Sequence, residues 1–308
     1  MHKFVIRKRR KNNQPRAFPG VGVHPWQMFV VDRPSGCPDM YMNYFGFKEA
    51  PFNITPDPRF LFFSLHHREA FDHVVYGIEK RKGFIELTGE VGAGKTTICR
   101  AVLSKLSPNI KTALVLNPTL TQTQLLRAIL NDFGLSIKGR DRLAYIEILN
   151  RFLLEQLGQG NNVALIIDEA QDLFPEVLEQ VRLLSNLETD QHKLLQIVLC
   201  GQPELKQRLA APELRQLRQR ITVRCHLFPL TEAEMRQYIH YRLKTAGWEG
   251  GDLFLPSALE SIFHYAQGIP RLINAVCDVA LLAGYVAGSR QIDGPCVNKA
   301  IQQLEGTT

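Results

Sequence analysis

The fold of this chain is decided by one glycine-rich run, Gly89-Glu90-Val91-Gly92-Ala93-Gly94-Lys95-Thr96, which Thr97 follows. The run matches the pattern G-x-x-x-x-G-K-[ST], with an apolar run before it and a helical pattern after it, as a phosphate-binding loop requires. Glycines let such a loop curl so that backbone N–H groups face an anion, and the start of the helix adds the positive end of its dipole. We expect Lys95 to reach the β- and γ-phosphates of a nucleotide and the Thr96 hydroxyl to take one position on Mg²⁺.

A second motif follows a later apolar run. The run at 163–167 leads directly into Asp168-Glu169-Ala170-Gln171. A buried strand that ends in two carboxylates places Asp168 where it can hold the Mg²⁺ shell, so that Glu169 can polarise the attacking water. Two acids at a strand end are also compatible with a solvated turn, but their combination with the phosphate loop predicts nucleotide hydrolysis rather than binding alone.

The rest of the central sequence alternates short apolar runs with helical patterns. The apolar runs lie at 83–88, 112–117, 162–167, 195–200 and 221–227, and the helical patterns lie at 96–106, 122–133, 142–157 and 175–187. Near-continuous apolar strands separated by helices are typical of a parallel sheet that is buried on both faces. The sequence therefore predicts an α/β fold of the P-loop NTPase type, with helices flanking a parallel sheet.

Three segments are predicted along the chain. Residues 1–39 form a basic extension that we expect to be disordered, and residues 40–229 form the P-loop α/β domain with an aromatic, proline-punctuated arm at its start. After residue 229 the strand patterns stop, and helix starts are expected near Thr231, Pro256, Pro270 and Asp293. Residues 230–308 are therefore predicted to be an all-α lid domain.

Three further kinds of position are candidates for the same chemistry. Gln202 follows the run at 195–200 and can orient water or the γ-phosphate, although a strand-end turn also explains it. Arg218 and Arg220 precede the last strand, where an arginine can project across a subunit boundary to a neighbour's nucleotide, or else belong to a solvated face. Arg271 lies at a predicted helix start and can fold over the γ-phosphate, with an ordinary surface arginine as the alternative.

The positive charge of the chain is concentrated at its N-terminus. The formal net charge is +7, and residues 1–39 hold eight Lys or Arg against two Asp, which leaves +1 for residues 40–308. The run Arg7 to Lys11 resembles a basic localisation or nucleic-acid patch. Because the remaining sequence is nearly neutral, nucleic acid is a possible but disfavoured partner.

Cysteine usage and hydropathy indicate the compartment. The six cysteines are scattered without a C-x-x-C pair, as expected for free thiols in a reducing cytosol. No uninterrupted apolar run reaches the roughly 18 residues that a membrane-spanning helix needs. We therefore expect a cytoplasmic protein without a transmembrane segment, and association with the inner membrane through a partner is the alternative.

Together these features resemble the AAA+ superfamily over about residues 40–306. They are most similar to the ExeA-type general-secretion ATPases and to the soluble ATPases of exosortase and polysaccharide-export gene clusters. The resemblance rests on the phosphate loop, on Asp168 to Gln171, and on three further stretches at 44–60, 201–205 and 268–271. Secretion members carry a membrane helix and a peptidoglycan-binding domain after the ATPase module; this sequence ends at Thr308, so their cell-wall role is not expected here.

The resemblance implies roles for the candidate residues. Gln202 takes the sensor-1 position, Arg271 takes the sensor-2 position, and Arg218 or Arg220 is the arginine finger. It also implies ATP and Mg²⁺ as cofactors, with the loop residues 89–97 and Arg271 on the nucleotide and Thr96 and Asp168 on the metal. A homo-oligomer, either a ring or bridged by nucleotide, would complete each site.

Three functions are compatible with the sequence. The first is a Mg²⁺-dependent ATPase that acts as a motor or switch in secretion or export assembly through a protein partner. The second is a DNA-dependent transposition-helper ATPase, which shares the fold and a similar Asp-Glu-Ala-Gln run. The third, a helicase, is disfavoured because no second RecA-like domain is visible. The motifs do not distinguish ATP from GTP.

Overall fold

A five-stranded parallel sheet carries the phosphate loop. The computed structural model of the protein describes residues 40–306 apart from residues 56, 117–118, 138, 140 and 190–191, so the predicted extension at 1–39 lies outside the described residues. The strands are β1 (Phe84–Gly89), β2 (Ile110–Val115), β3 (Asn162–Ile167), β4 (Gln196–Gly201) and β5 (Ile221–Leu227). Their order across the sheet is β2-β3-β4-β1-β5, and every pairing is parallel. The predicted parallel α/β sheet is thereby confirmed.

Twelve α-helices occur among the described residues. They are α1 (Met40–Phe45), α2 (Leu65–Glu79), α3 (Lys95–Lys105), α4 (Gln122–Asp132), α5 (Arg142–Gly158), α6 (Pro175–Leu184), α7 (Glu204–Leu209), α8 (Arg215–Arg220), α9 (Glu232–Thr245), α10 (Pro256–Ala266), α11 (Pro270–Val286) and α12 (Gly294–Glu305). Helices α3 to α6 follow the predicted patterns, and α9 to α12 begin at the predicted starts. The six-residue helices α1, α7 and α8 were not predicted, because so few residues complete too little of a helical repeat to give a periodic signal.

Both faces of the sheet are covered, which explains its near-continuous apolar strands. Every residue of β1, β3 and β4 is buried. Leu165 and Ile197 face a core shared with α4, α5 and α6, whereas Ala164 and Val198 face a second core shared with α2 and α3. Alternate residues of one strand thus enter opposite cores, and neither face can carry a polar stripe.

The C-terminal part is helical, as predicted. Thr231 caps α9 through the Glu234 N–H, and the Glu234 carboxylate returns to the Thr231 N–H, which completes a capping box. Proline occupies the first turn of α10 and α11, and Asp293 caps α12. Among the described residues, no helix is both long and apolar enough to cross a membrane.

The aromatic arm packs on these helices and not on the sheet. Phe45, Phe47, Phe52 and Phe60 are buried in one apolar core with side chains of α9, α10, α11 and α12. The prediction from sequence placed the arm in the domain at 40–229, because the arm directly precedes the sheet in the chain. The sheet faces are already covered by their own helices, so the rings are buried against the C-terminal helices. The domain boundary near residue 229 itself stays a prediction.

Candidate functional site

The phosphate loop joins the end of β1 to the start of α3. Gly92 and Gly94 adopt positive φ angles of 80° and 99°, a backbone region that side chains with a Cβ rarely occupy. Gly94 is also the N-cap of α3, so the helix starts at Lys95 without a side-chain cap. The two glycines therefore curl the loop and open the first turn of α3 toward the loop.

Lys95 lies inside this loop. Its side chain is buried, and Nζ donates to the carbonyl oxygens of Gly89 at 2.8 Å and Glu90 at 3.0 Å. Burying an ammonium is costly unless partners compensate it, and here the partners are neutral carbonyls. A phosphate anion next to Nζ would compensate this charge better than the carbonyl dipoles do.

Thr96, in the first turn of α3, meets Asp168, which directly follows β3. The Thr96 hydroxyl donates to Asp168 Oδ2 at 2.6 Å, and Asp168 Oδ1 accepts from the Glu169 N–H at 3.0 Å. Asp168 is almost fully buried, and its own N–H is held by Val115 O on β2. A hydroxyl and a carboxylate side by side are the oxygen ligands that Mg²⁺ prefers, so the pair fits the predicted metal position.

Glu169 is held by two amides. Its backbone is in the left-handed region, with φ 52° and ψ 38°. Oε2 accepts from Gln171 Nε2 at 2.9 Å and from Gln202 Nε2 at 3.4 Å. The structure thus brings the predicted residues Glu169 and Gln202 into contact. It adds Gln171, which lay inside a motif that the sequence singled out but to which it assigned no role.

Arg271 approaches the loop from the helical part. It is the second residue of α11, and its N–H donates to Gly92 O at 3.2 Å. A Cβ added at Gly92 would lie only 2.4 Å from the Arg271 Cβ, so this close approach requires glycine. The predicted sensor-2 arginine therefore lies directly over the phosphate loop.

The two finger candidates have different surroundings. The Arg220 guanidinium donates to Ser185 Oγ and Asn186 Oδ1, on the connection that follows α6. Arg218 is exposed, and among the described residues its guanidinium has no hydrogen-bond partner, although its carbonyl accepts from Arg224. Neither arginine lines the cavity at the phosphate loop. A finger acts on a neighbouring subunit, so both positions stay predictions.

A cavity of about 350 Å³ lies above the phosphate loop. Lys95, Thr96, Thr97, Glu169 and Arg271 line it, which brings most of the predicted side chains to one space. The opposite wall was not predicted and consists of arm residues together with side chains of α9 and α11. These are Asn53, Ile54, Thr55, Phe60, Leu61, Phe62, Tyr238, Arg242 and Asn274. The aromatic pattern indicated packing of the arm but gave no sign that it lines a site.

Arg242 fastens this wall to α9. Its guanidinium donates to Pro51 O at 2.6 Å and Asn53 O at 3.0 Å, and it lies 4.8 Å from the Phe60 ring centre. It also donates to the Tyr238 hydroxyl, which in turn donates to Asn274 Oδ1 on α11. A buried guanidinium thus joins the arm to two helices of the C-terminal part.

His67, on α2, contacts the phosphate loop and was also not identified from the sequence. Nε2 lies 2.9 Å from Ala93 O, and Nδ1 lies 2.7 Å from Ser64 Oγ. Burial lowers the pKa of His67 from its ordinary value of 6.5, so the ring is neutral near pH 7. A carbonyl only accepts, so Nε2 donates to Ala93 and Nδ1 accepts from the Ser64 hydroxyl. Nothing in the sequence separates this histidine from its neighbour His66.

Sequence comparisons give a matching family model and a curated relative. A family model described as an AAA domain matches residues 78–209. The General secretion pathway protein A of Aeromonas hydrophila is 45% identical over 268 residues, which cover 87% of this chain and 49% of that protein. The chain therefore spans about half the length of this curated relative.

Solved structures agree in fold at low sequence identity. The Aeropyrum pernix ORC2 protein matches with a TM-score of 0.64 and 19% identity, covering 85% of this chain and 73% of that one. A Drosophila ORC structure bound to DNA matches with a TM-score of 0.64 and 16% identity, covering 92% and 70%. The Thermotoga maritima RuvB branch migration motor matches with a TM-score of 0.52 and 20% identity, covering 77% and 69%. These likenesses concern the fold alone.

Proposed function

This chain belongs to the AAA+ proteins of the ExeA type, and on that premise we propose that it binds ATP with Mg²⁺ and hydrolyses it. One observation carries the proposal: Lys95, Thr96 and Glu169 line a single cavity, and Asp168 is hydrogen-bonded to Thr96 at its edge. Lys95, Asp168 and Glu169 supply the charges, and Thr96 supplies the hydroxyl, that phosphoryl transfer to water needs.

The residues have separate tasks in this mechanism. Lys95 and the loop N–H groups bind the phosphates, and Thr96 and Asp168 hold the metal. When bound, Mg²⁺ neutralises charge on the phosphate oxygens. Glu169 accepts the proton of the attacking water through the carboxylate oxygen that the two amides leave free.

Gln202 and Arg271 are proposed to respond to the γ-phosphate. Gln202 already shares the Glu169 carboxylate, so it can report a change at the reacting centre to β4. Arg271 lines the cavity at the first turn of α11, so its contact with phosphate would affect how the helical part sits on the loop. Both roles follow from the ExeA-type resemblance and from these positions.

Arg218 is the better finger candidate within a homo-oligomer. The guanidinium of Arg220 is engaged by Ser185 and Asn186, so using it on a neighbouring subunit would require breaking those bonds. Arg218 is exposed on the same short helix and has no such cost.

The cellular role is proposed from the relative's name. Because that relative is a general secretion pathway protein, we propose that ATP turnover drives or switches a secretion or export assembly through a protein partner on the cytoplasmic side. A DNA-stimulated ATPase is the second candidate, since Arg215, Arg218 and Arg224 form an exposed basic group along α8 and β5. Turnover that rises with duplex DNA and falls steeply with salt would favour this second function.

Two substitutions test the chemistry. Lys95→Ala is expected to abolish binding of a fluorescent ATP analogue, because the buried cation that faces the phosphates is lost. Glu169→Gln is expected to bind the analogue normally and to hydrolyse ATP at least ~100-fold more slowly, because the amide cannot accept the proton. Wild-type turnover in Glu169→Gln would rule out this mechanism, and competition between ATP and GTP would identify the base.

A further inference from the structure

Gln171 connects the ends of two neighbouring strands. It lies three residues beyond Asp168, at the end of β3, and its side chain is buried. Nε2 donates to Glu169 Oε2 at 2.9 Å, and Oε1 accepts from the Gln202 N–H, just beyond β4, at 3.0 Å. One amide therefore spans the gap between the proposed general base and the proposed sensor.

The two hydrogen bonds fix the orientation of this amide. A carboxylate only accepts and a backbone N–H only donates, so the reverse orientation would lose both bonds. The adjacent backbone is shaped to fit the amide, because a Cβ added at Gly201 would lie 2.8 Å from Gln171 Oε1. Gln171 is thus held in one pose between Glu169, Gly201 and Gln202.

The backbone of Gln171 is fixed as well. Its carbonyl accepts from the Arg208 guanidinium on α7, so the amide is anchored at both its side chain and its main chain. The backbone of Glu169 is in the left-handed region, with a φ of 52°. A non-glycine residue adopts such an angle only when its surroundings impose it. The Glu169 side chain lines the cavity of the phosphate loop, and its Oε2 accepts from Gln171.

We propose that Gln171 is a positioning residue for hydrolysis, which holds Oε2 of Glu169 so that the other carboxylate oxygen is aimed at the attacking water. This inference rests on the proposed function of Glu169. Gln202 alone does not replace this restraint, because its own bond to Oε2 is longer, at 3.4 Å, and its backbone depends on Gln171. Without Gln171 the carboxylate would rotate away from the water path.

The test is a double-mutant cycle between Gln171 and Glu169. Gln171→Leu removes both hydrogen bonds, whereas Gln171→Glu keeps the acceptor for the Gln202 N–H but places a carboxylate against Glu169. Both variants are expected to lower kcat by about 10- to 100-fold with little change in KM, because only the aim of the base is lost. The matched control is Gln180→Leu on α6, another buried glutamine, whose side-chain amide has no hydrogen-bond partner among the described residues.

Single-turnover hydrolysis of radiolabelled ATP keeps the slow Glu169→Gln background measurable. In that background Gln171→Leu is expected to cost no further rate, because the carboxylate that it positions is gone. The proposal is overturned if Gln171→Leu leaves kcat at the level of the Gln180→Leu control, if it raises kcat, or if it lowers the rate equally in both backgrounds. Failure of the proposed function looks different, since Glu169→Gln would then keep wild-type turnover whatever residue 171 is.

Discussion

Replacing Gly92 by alanine tests the contact between the phosphate loop and α11. The matched control is Gly134→Ala after α4, because Gly92 and Gly134 have similar φ angles of 80° and 71°. An L side chain in this backbone region costs about 1–2 kcal/mol, and both variants should lose this amount of unfolding free energy. A Cβ at Gly134 meets nothing within 4 Å, so strain is its full effect.

The Cβ at Gly92 meets a different environment. It would lie 2.4 Å from the Arg271 Cβ, so the two elements must separate by about 1 Å to reach ordinary van der Waals distance. That separation breaks the hydrogen bond from the Arg271 N–H to Gly92 O. It also moves the Arg271 side chain away from its position in the cavity wall. A misplacement of this size costs up to about 100-fold in rate, so kcat of Gly92→Ala should fall well below that of Gly134→Ala.

The assay compares the two variants by steady-state ATP turnover and by thermal unfolding with and without Mg²⁺ and ATP. Without nucleotide we expect Gly92→Ala to melt below Gly134→Ala, because the loss of the bond from the Arg271 N–H to Gly92 O adds to the shared strain. We expect a clear loss of nucleotide stabilisation for Gly92→Ala only. Equal turnover in the two variants would refute the argument, because it would mean that the approach of Arg271 to the loop does not contribute to catalysis.

Two further predictions concern buried polar side chains. Neither side-chain amide atom of Gln180 has a partner among the described residues, so Gln180→Leu should raise the free energy of unfolding by about 1–3 kcal/mol in urea titrations; an unchanged midpoint would contradict this. Burial lowers the pKa of His67, so the unfolded chain binds a proton at a higher pH than the folded chain does. The free energy of unfolding that His67 contributes is therefore complete above pH 6.5 and declines as the pH falls below 6.5. His67→Gln should flatten this decline between about pH 7.5 and about pH 5.5, and an unchanged pH slope would exclude His67 as its source.

Sequence alone could predict the individual strands and the phosphate loop because each is a local pattern. The loop at 89–96 carries all its functional groups in consecutive residues, and the strand before it and the helix after it are adjacent in the chain. Asp168 and Glu169 likewise follow one strand directly. That Asp168 meets Thr96 follows from a general property of parallel sheets, whose carboxyl ends share one edge.

Contacts between distant segments were not predictable in this way. Gln171 reaches the Gln202 N–H only because β3 and β4 are neighbours, and the strand order is not written in the periodicity of either strand. The support of Ala93 by His67 depends on how α2 lies under the loop. Sequence patterns identify which residues are polar or apolar, whereas these roles depend on which elements pack together.

The packing of the arm changes how the nucleotide cavity is expected to work. Because the arm shares its core with the C-terminal helices, and Arg242 bonds both to the arm carbonyls and to Tyr238, the arm is expected to move with those helices. One wall of the cavity is then carried by the helical part, and the phosphate loop by the sheet. A nucleotide that contacts both walls would bind the closed arrangement preferentially, and loss of its γ-phosphate would weaken that preference. We therefore expect ATP hydrolysis to cause a movement of the helical part relative to the phosphate loop. That movement would begin at the contact between Arg271 and Gly92.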